Sequence, residues 1–249
     1  MADKDPIVLN FGDSLLLKSD LELLTEPNWI NDKLIGFAYE YYEREQFNHS
    51  ADRLALLSPS LVQIIRFAEA GDLHVLLESL SLPAKQFVFV PVNDNADTSR
   101  VGGTHWSLLV YVRSKQEFQH YDSASGNNQA VAKRLMDKLQ PFVQAPKGKL
   151  KFVEMDCPQQ ENCYDCGMFL LANTEHLIRE FVECVSLGVR DVVSQNSVQD
   201  KRRELTRLIS SLAKEAKDHQ EHDSSNVATD DLSSKHKGQE QKQPVVATS

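Results

Sequence analysis

The sequence has few cysteines, no long apolar run and no excess of basic residues. Only four of its 249 residues are Cys, so a disulfide-stapled secreted domain is not expected. No stretch reaches the roughly 18 consecutive apolar residues of a membrane span. The first residues, MADKDPIVLNFGD, also lack the apolar segment of a signal peptide. We therefore expect a soluble intracellular protein without a membrane partner.

The charge balance is acidic, with 27 Lys and Arg against 36 Asp and Glu and a net charge of -9. Nucleic acid is therefore not an expected partner, because phosphate contacts need clustered cations. Hydrophobic residues make up 41% of the chain, which is enough for one enzyme-sized domain, predicted at residues 1–216. From residue 217 to 249 large apolar residues are almost lacking, and the composition predicts a disordered acidic and polar tail.

The secondary-structure signals run from helices to strands with one helix among them, and then to helices again. PNWINDKLIGFAYEYYERE and SPSLVQIIRFAEA predict early helices capped by Asn31 and Ser58. KQFVFVPV, HWSLLVYV, EFQHYD and KLKFVEM have strand composition. One late helix begins near Asp165, and another follows Ser197, which with Asp200 resembles a capping box. This order indicates an α+β fold, not a regularly alternating α/β fold.

Three of the four cysteines lie close together, and CYDC spaces Cys163 and Cys166 as a CxxC pair. A zinc site usually has two such pairs; here Cys157 and a histidine would have to complete the set. A thioredoxin-like redox pair is a second interpretation, although an acid directly before the second Cys is unusual there. The third makes Cys166 a single nucleophile, because a thiol at a helix start is favoured as thiolate.

A nucleophilic thiol needs an imidazole beside it and a third group that orients the imidazole. His105 opens an otherwise apolar strand after a Gly-rich loop, and Asp122 closes the next strand. A turn of four residues, 113–116, makes Asp122 a diagonal neighbour of His105 on one sheet face, whereas three or five residues would separate them. His120 is a rival base, and an inert buried thiol is the competing interpretation of Cys166.

Acyl transfer also needs hydrogen-bond donors for the oxyanion. Gln160 carries a side-chain amide on the loop that leads into the predicted helix, and the backbone N–H of Cys166 points the same way. Gln159 is a close competitor. The residues alone thus make a Cys-His-Asp hydrolase one candidate among several.

GGTHWSLLVY, HYDS and QQENCYDCGMF, in this order, resemble the sentrin-specific and ubiquitin-like-modifier proteases of the Ulp type. EPNWINDKLIGFAYEYY resembles the WLND segment of that family. The similarity runs from about residue 6 to residue 214, and the deneddylating members are the most similar. The resemblance implies the papain-like fold of the Ulp and adenain type, in which a helical lobe packs on a small mixed sheet and the nucleophile begins a helix.

The resemblance also assigns roles to individual residues. It implies that Cys166 is the nucleophile and His105 the general base and later acid. Asp122 would orient His105, and Gln160 would donate to the oxyanion. No cofactor and no metal are implied.

For the substrate, the resemblance implies a narrow channel that holds a Gly-Gly terminus. Trp29 and Trp106 would roof this channel, and a tail without side chains fits a passage too narrow for any Cβ. Asp32 and Asn93 match positions expected to touch the modifier or its tail. Residues 93–103 would form the loop over the bound tail, and their composition fits mobility.

The implied activity is cleavage after the Gly-Gly terminus of a ubiquitin-like modifier, both in precursor processing and in removal from lysine. The neddylation modifier is the expected substrate and partner, with the sentrin/SUMO modifier as the alternative. The enzyme is expected to be a monomer of the cytoplasm and nucleus. A catalytically silent modifier-binding module and an acetyltransferase are alternatives of other classes. Cys163 replaces a usually small residue, and we hypothesise that it makes the site more easily oxidised.

Overall fold

The computed structural model describes residues 4–97, 102–144 and 150–235, with the backbone alone from residue 219 onward. The strands in these ranges are β1 (Ile7–Phe11), β2 (Ser14–Leu17), β3 (Leu54–Leu56), β4 (Phe87–Asn93), β5 (Trp106–Val112), β6 (Glu117–Tyr121) and β7 (Lys151–Glu154). The α-helices are α1 (Lys18–Glu22), α2 (Asp32–Tyr41), α3 (Pro59–Phe67), α4 (Ala70–Glu78), α5 (Gln129–Leu139), α6 (Cys166–Glu183), α7 (Val189–Val192) and α8 (Gln195–Lys235). A π-helical turn, Tyr42–Gln46, extends α2.

Strands β1 and β2 form a hairpin, and the other strands form one mixed sheet in the order β3-β4-β5-β6-β7. The two outer pairs, β3 with β4 and β6 with β7, are parallel. The central pairs, β4 with β5 and β5 with β6, are antiparallel. A mixed sheet with helices before and after it along the chain confirms the predicted α+β class.

Both faces of the sheet are covered by helices. On one face, Val90 and Leu109 belong to the same apolar cluster as Val62 of α3, Leu77 of α4 and Leu135 of α5. On the other face, the ring of Phe87 on β4 stacks on Phe181 of α6, with 4.6 Å between the ring centroids. Residues 87–92 of β4 are therefore all buried, as expected for a strand with two covered faces.

Helix α8 begins earlier than the sequence predicts. It begins at Gln195, because Ser194 and Ser197 cap it by donating their backbone N–H groups to each other's hydroxyl oxygen, at 2.8 and 3.3 Å. The predicted pairing of Ser197 with Asp200 is therefore wrong. The backbone is helical as far as Lys235, and the disordered tail of residues 217–249 stays a prediction. Residues 236–249 lie outside the described ranges, and the domain boundary after residue 216 stays a prediction.

The chain divides into two compact units, Met1–Arg207 and Leu208–Ser249. The first contains the whole sheet and the start of α8, and the described part of the second is the remainder of α8. Within the described ranges, no helix combines the length and the apolar character needed to cross a bilayer.

Asn31 is the cap of α2, as the sequence predicts. Its Oδ1 accepts a hydrogen bond from the N–H of Leu34 at 3.1 Å, and its Nδ2 donates to Asp20 at 2.7 Å. We expect Asn31→Ala to lower the free energy of unfolding by about 1.5 kcal/mol, because a helix cap and a side-chain bond are both lost. Urea denaturation measures this change. Asn31→Ser keeps the cap acceptor and should cost less, and equal losses would contradict the capping role.

Candidate active site

His105 and Asp122 meet at one end of the antiparallel pair β5–β6. The register joins Val112 to Glu117 and Leu108 to Tyr121, so the turn between the strands has the four residues that the sequence argument required. His105 Nε2 lies 2.6 Å from Asp122 Oδ1, and both side chains are almost fully buried. The predicted contact between His105 and Asp122 is confirmed.

Two backbone amides hold the Asp122 carboxylate in place. Its Oδ1 accepts from the N–H of Ala124 at 3.0 Å, and its Oδ2 accepts from the N–H of Asn128 at 3.1 Å. Burial works against the charged carboxylate, but the bonds from His105, Asn128 and Ala124 outweigh it and lower the pKa of Asp122. Asp122 is therefore ionised at neutral pH and can orient the imidazole.

Asn128 was missed by the sequence analysis, although it touches both members of this pair. Besides its backbone bond to Asp122, its buried Nδ2 donates to the carbonyl oxygens of Val92 and His105, each at 3.2 Å. Asn128 therefore fixes the backbone of His105 relative to β4. A second Asn beside it in the sequence gave no signal that could single it out.

Cys166 is the first residue of α6, as predicted, and lies close enough to His105 to raise the pKa of its imidazole. Because Nε2 of His105 faces Asp122, Nδ1 is the ring nitrogen left for the sulfur. Burial disfavours the charged ring, but the hydrogen bonds to Asp122 and Cys166 outweigh it and raise the pKa of His105 to about 9. The imidazole of His105 and the positive end of α6 therefore both lie beside the sulfur of Cys166.

His120, the rival base, is used elsewhere. Its side chain is fully buried, with Nε2 2.8 Å from the hydroxyl of Ser107 and Nδ1 2.9 Å from Glu154 Oε2. Both ring nitrogens are therefore engaged within the sheet. His105 is the histidine that lies beside the thiol.

The two glutamines before α6, Gln159 and Gln160, have different hydrogen-bond partners. Gln159 accepts from Ser125 through its Oε1, and its Nε2 donates to the carbonyl oxygens of Asp122 and Cys157 at 3.0 Å. Its amide therefore braces the turn after β6. Gln160 Oε1 accepts a hydrogen bond from Ser123 Oγ at 2.9 Å. Its Nε2 donates one hydrogen to the carbonyl oxygen of Asn162 at 2.6 Å. An amide nitrogen carries two hydrogens, so Gln160 can still donate to an oxyanion.

Ile30 and Trp106 lie close to the start of α6. A Cβ added to Gly167 would be 2.5 Å from Cγ1 of Ile30 and 3.5 Å from Cδ1 of Trp106. Trp29, directly before Ile30, is 42% exposed, and Trp106 is half-buried. The residue after Cys166 thus has to be glycine for these side chains to approach so closely.

Asn93 and Asp32 occupy different surroundings. Asn93 Oδ1 accepts from the N–H of Asn95 at 2.8 Å, and a Cβ on Gly103 would come within 2.0 Å of the same oxygen. Gly103 also has a φ of +97°, which favours glycine. Asp32 is exposed at the start of α2 and lines a surface cleft of about 420 Å³. Of the predicted loop 93–103, residues 98–101 lie outside the described ranges.

Asp94 is a second residue that the sequence analysis missed. Its Oδ1 accepts from the backbone N–H groups of Thr104 at 2.6 Å and His105 at 3.1 Å. Burial opposes its charge, but these bonds and one from the Thr104 hydroxyl prevail and lower the pKa of Asp94. Asp94 therefore joins the two ends of the loop and holds the backbone of His105.

The cysteine cluster does not form a metal site in the described part of the chain. No group of three or more His, Cys, Asp or Glu side chains lies close enough there to hold an ion. All four cysteines are free thiols; Cys163 is exposed and Cys166 is 2% exposed. This disfavours the zinc interpretation, and a redox role of Cys163 stays a hypothesis.

A thiol at a helix start, beside an imidazole that is hydrogen-bonded to an ionised carboxylate, is the arrangement of papain-like cysteine hydrolases. The protein is a cysteine peptidase. The profile of the Ulp1 protease family, C-terminal catalytic domain, matches residues 28–217, and the chain belongs to that family.

Individual relatives cover most of the chain. "Sentrin-specific protease 8" of Homo sapiens is 42% identical over 211 residues, which are 84% of this chain and 99% of the relative. "NEDD8-specific protease 1" of Arabidopsis thaliana is 34% identical over 223 residues, which are 85% of this chain and 96% of the relative. The crystal structure of the yeast Ulp1 protease domain in complex with Smt3, the yeast ortholog of SUMO, matches with a TM-score of 0.65 and 18% identity. It covers 85% of this chain and 90% of that one. The predicted family and papain-like fold are confirmed.

The pKa of His105 leads to a prediction for the pH dependence of the peptidase. The ring is protonated below its pKa of about 9. We expect kcat/KM to fall as the pH rises through this value, because the departing amine then loses its proton donor. Asp122→Asn removes the main partner that raises this pKa. The alkaline limb of its kcat/KM profile, where activity falls with rising pH, should therefore lie at lower pH.

Asp72→Asn is the matched control, since it makes the same charge change at an exposed position of α4. Its alkaline limb should coincide with that of the wild type. An unshifted limb in Asp122→Asn would contradict the assignment of the limb to His105.

Proposed function

We propose that Cys166 attacks the terminal glycine carbonyl of a ubiquitin-like modifier. The observation that carries this proposal is the line formed by Cys166, His105 and Asp122 at the N-terminus of α6, in which His105 lies beside the thiol and is hydrogen-bonded to Asp122. His105 takes the thiol proton and Asp122 keeps the imidazole oriented. A silent binding module would have no use for a buried ionised carboxylate held in this line.

The chemistry proceeds by two acyl transfers. The thiolate adds to the carbonyl carbon, and the resulting oxyanion lies between the N–H of Cys166 and the amide of Gln160. His105 then gives its proton to the departing amine, and a thioester remains on the sulfur. Water adds to the thioester with His105 as base, and the modifier leaves with a free carboxylate.

The access route is proposed to select a tail of two glycines. Ile30 and Trp106 already contact the position where a Cβ on Gly167 would lie, so the passage beside Cys166 is narrow. Trp29 and Trp106 form its roof. A tail without side chains fits such a passage. A residue with a Cβ is excluded because its side chain would clash with the walls of the passage. Asp32 and Asn93 are proposed to touch the modifier, with the loop 93–103 above its tail.

The substrate is proposed to be the NEDD8 modifier, both as a precursor and as a conjugate on lysine. A relative at 34% identity supports this choice through its name, NEDD8-specific protease 1. The SUMO modifier is the alternative. Its support is a structure at 18% identity, which speaks for the fold alone. We further propose a monomer acting in the cytoplasm and nucleus.

Replacing the proposed nucleophile tests this function. We expect Cys166→Ser to abolish hydrolysis of fluorogenic C-terminal amides of NEDD8, SUMO and ubiquitin, and the wild type to prefer NEDD8. A NEDD8 vinyl sulfone should label the wild type and leave Cys166→Ser unlabelled. Cys163→Ser is the matched control, because the same change at the exposed thiol should leave labelling intact.

Labelling of Cys166→Ser would refute the proposed nucleophile. A wild type that binds NEDD8 but is never labelled would favour the silent module. Preference for the SUMO substrate would replace NEDD8 with the alternative modifier.

The narrow passage predicts an effect of Gly167→Ala. The new Cβ would displace Ile30 and Trp106, and a shift of about 1 Å beside the reacting atoms lowers kcat/KM by about 100-fold. Steady-state kinetics with the preferred modifier substrate measures this loss. Gly71→Ala on α4 is the control, because nothing lies within 4 Å of its added Cβ. Equal kcat/KM values for the two variants would contradict the close approach at Gly167.

A further inference from the structure

A buried ion pair lies directly before the nucleophile, and the proposed mechanism does not use it. Asp165, the residue before Cys166, is fully buried, and its Oδ1 accepts a hydrogen bond of 2.6 Å from Nη2 of Arg202 on α8. Arg202 is also buried and donates through Nη1 to the carbonyl of Leu23 at 2.9 Å. Such pairs contribute little net stability, because desolvation offsets their attraction. A positioning role accounts better for this pair.

Asp165 occupies the N-cap position of α6, but its carboxylate accepts no hydrogen bond from the described amides of the first turn. An Asp at this position usually caps the N–H of the second or third helical residue. Its negative charge would then lie at the positive end of α6, where an oxyanion has to bind. Arg202 draws the carboxylate away from these amides. The start of α6 therefore has no capping carboxylate that would compete with an oxyanion.

The other oxygen of the Asp165 carboxylate is connected by hydrogen bonds to Gln160, the second proposed oxyanion donor. Asp165 Oδ2 accepts from Nδ2 of Asn162 at 2.8 Å and from Nε2 of Gln195 at 2.6 Å. The carbonyl of Asn162 in turn accepts from Nε2 of Gln160 at 2.6 Å. Asn162 Oδ1 accepts from the N–H of Asp165 at 3.0 Å, which closes the loop on itself. One carboxylate thus sets the orientation of the Gln160 amide through a single intervening residue.

We propose that Asp165 and Arg202 are positioning residues for the oxyanion hole. Arg202 keeps the Asp165 carboxylate off the start of α6, and Asp165 orients Gln160 through Asn162. Because Arg202 also neutralises the carboxylate, the pair supplies fixed hydrogen-bond acceptors without a net negative charge beside the sulfur. The inference rests on the proposed roles of Cys166 and Gln160.

Arg202→Met tests the proposal, with Lys201→Met as the matched control. Lys201 is the preceding residue on α8, is also buried, and pairs with Glu175, so the control removes the same charge from a neighbouring ion pair. Two reagents separate oxyanion binding from thiol reactivity. A NEDD8 aldehyde adds the sulfur to its carbonyl carbon and places the new oxygen in the oxyanion hole. Chloroacetamide alkylates the sulfur with loss of chloride and forms no oxyanion.

We expect Arg202→Met to lower kcat and the aldehyde affinity by about 100-fold, the effect of losing an oxyanion donor. The loss of aldehyde affinity should exceed any loss in alkylation rate by at least about 10-fold, with KM little changed. Lys201→Met should leave the ratio of aldehyde affinity to alkylation rate at the wild-type value. Arg202→Lys, which keeps the charge and one donor, should recover part of the loss.

Asn162→Ala decides the question if Arg202→Met does not fold. Asn162 is half-buried, and its replacement removes the link between Asp165 and Gln160 without leaving a buried charge unpaired. The same excess loss of aldehyde affinity is expected. Equal losses of aldehyde affinity and alkylation rate in either folded variant would overturn the positioning role alone. A wild type that does not react with the aldehyde would refute the proposed function as well.

Discussion

The hydrogen bond between His105 and Asp122 depends on the length of one turn. Successive residues of a strand point to opposite faces, so a turn longer or shorter by one residue would move Asp122 to the other face. Arg113 at the start of this turn donates to the carbonyl oxygens of Lys85, Val143 and Leu82 at 2.6, 3.1 and 3.0 Å. The turn is thereby tied to three neighbouring segments. A guanidinium remote from the thiol thus helps to preserve the geometry at the thiol.

Each carboxylate of the site accepts hydrogen bonds from fixed donors. Asp122 receives two backbone amides and an imidazole, and Asp94 receives the amides of Thr104 and His105. Asp165 receives a guanidinium instead. For Asp122 and Asp94 these bonds outweigh burial and lower the pKa of the carboxyl group. The three carboxylates therefore fix the imidazole ring, its backbone and the loop before α6.

Features that depend on neighbouring residues could be predicted from the sequence. The cap at Asn31, the four-residue turn and the start of α6 at Cys166 each follow from a short pattern, and all three are confirmed. The ion pair between Asp165 and Arg202 joins residues 37 positions apart, and no local pattern indicates it. The start of α8 was placed too late because Ser194 and Ser197 are both good caps, and the pattern alone does not rank them.

Cys157 shows that surroundings, and not the cysteine itself, distinguish the proposed nucleophile within the cluster. Cys157 lies close to Cys166 in the sequence. Its buried Sγ donates a hydrogen bond to the carbonyl oxygen of Asp122 at 3.4 Å. Burial raises the pKa of Cys157 to about 11, so it stays a neutral hydrogen-bond donor at physiological pH. Cys166 instead has the imidazole of His105 and the N-terminus of α6. The backbone carbonyl of Asp122 thus accepts a hydrogen bond from Cys157. The side chain of the same residue orients His105, the base that serves Cys166.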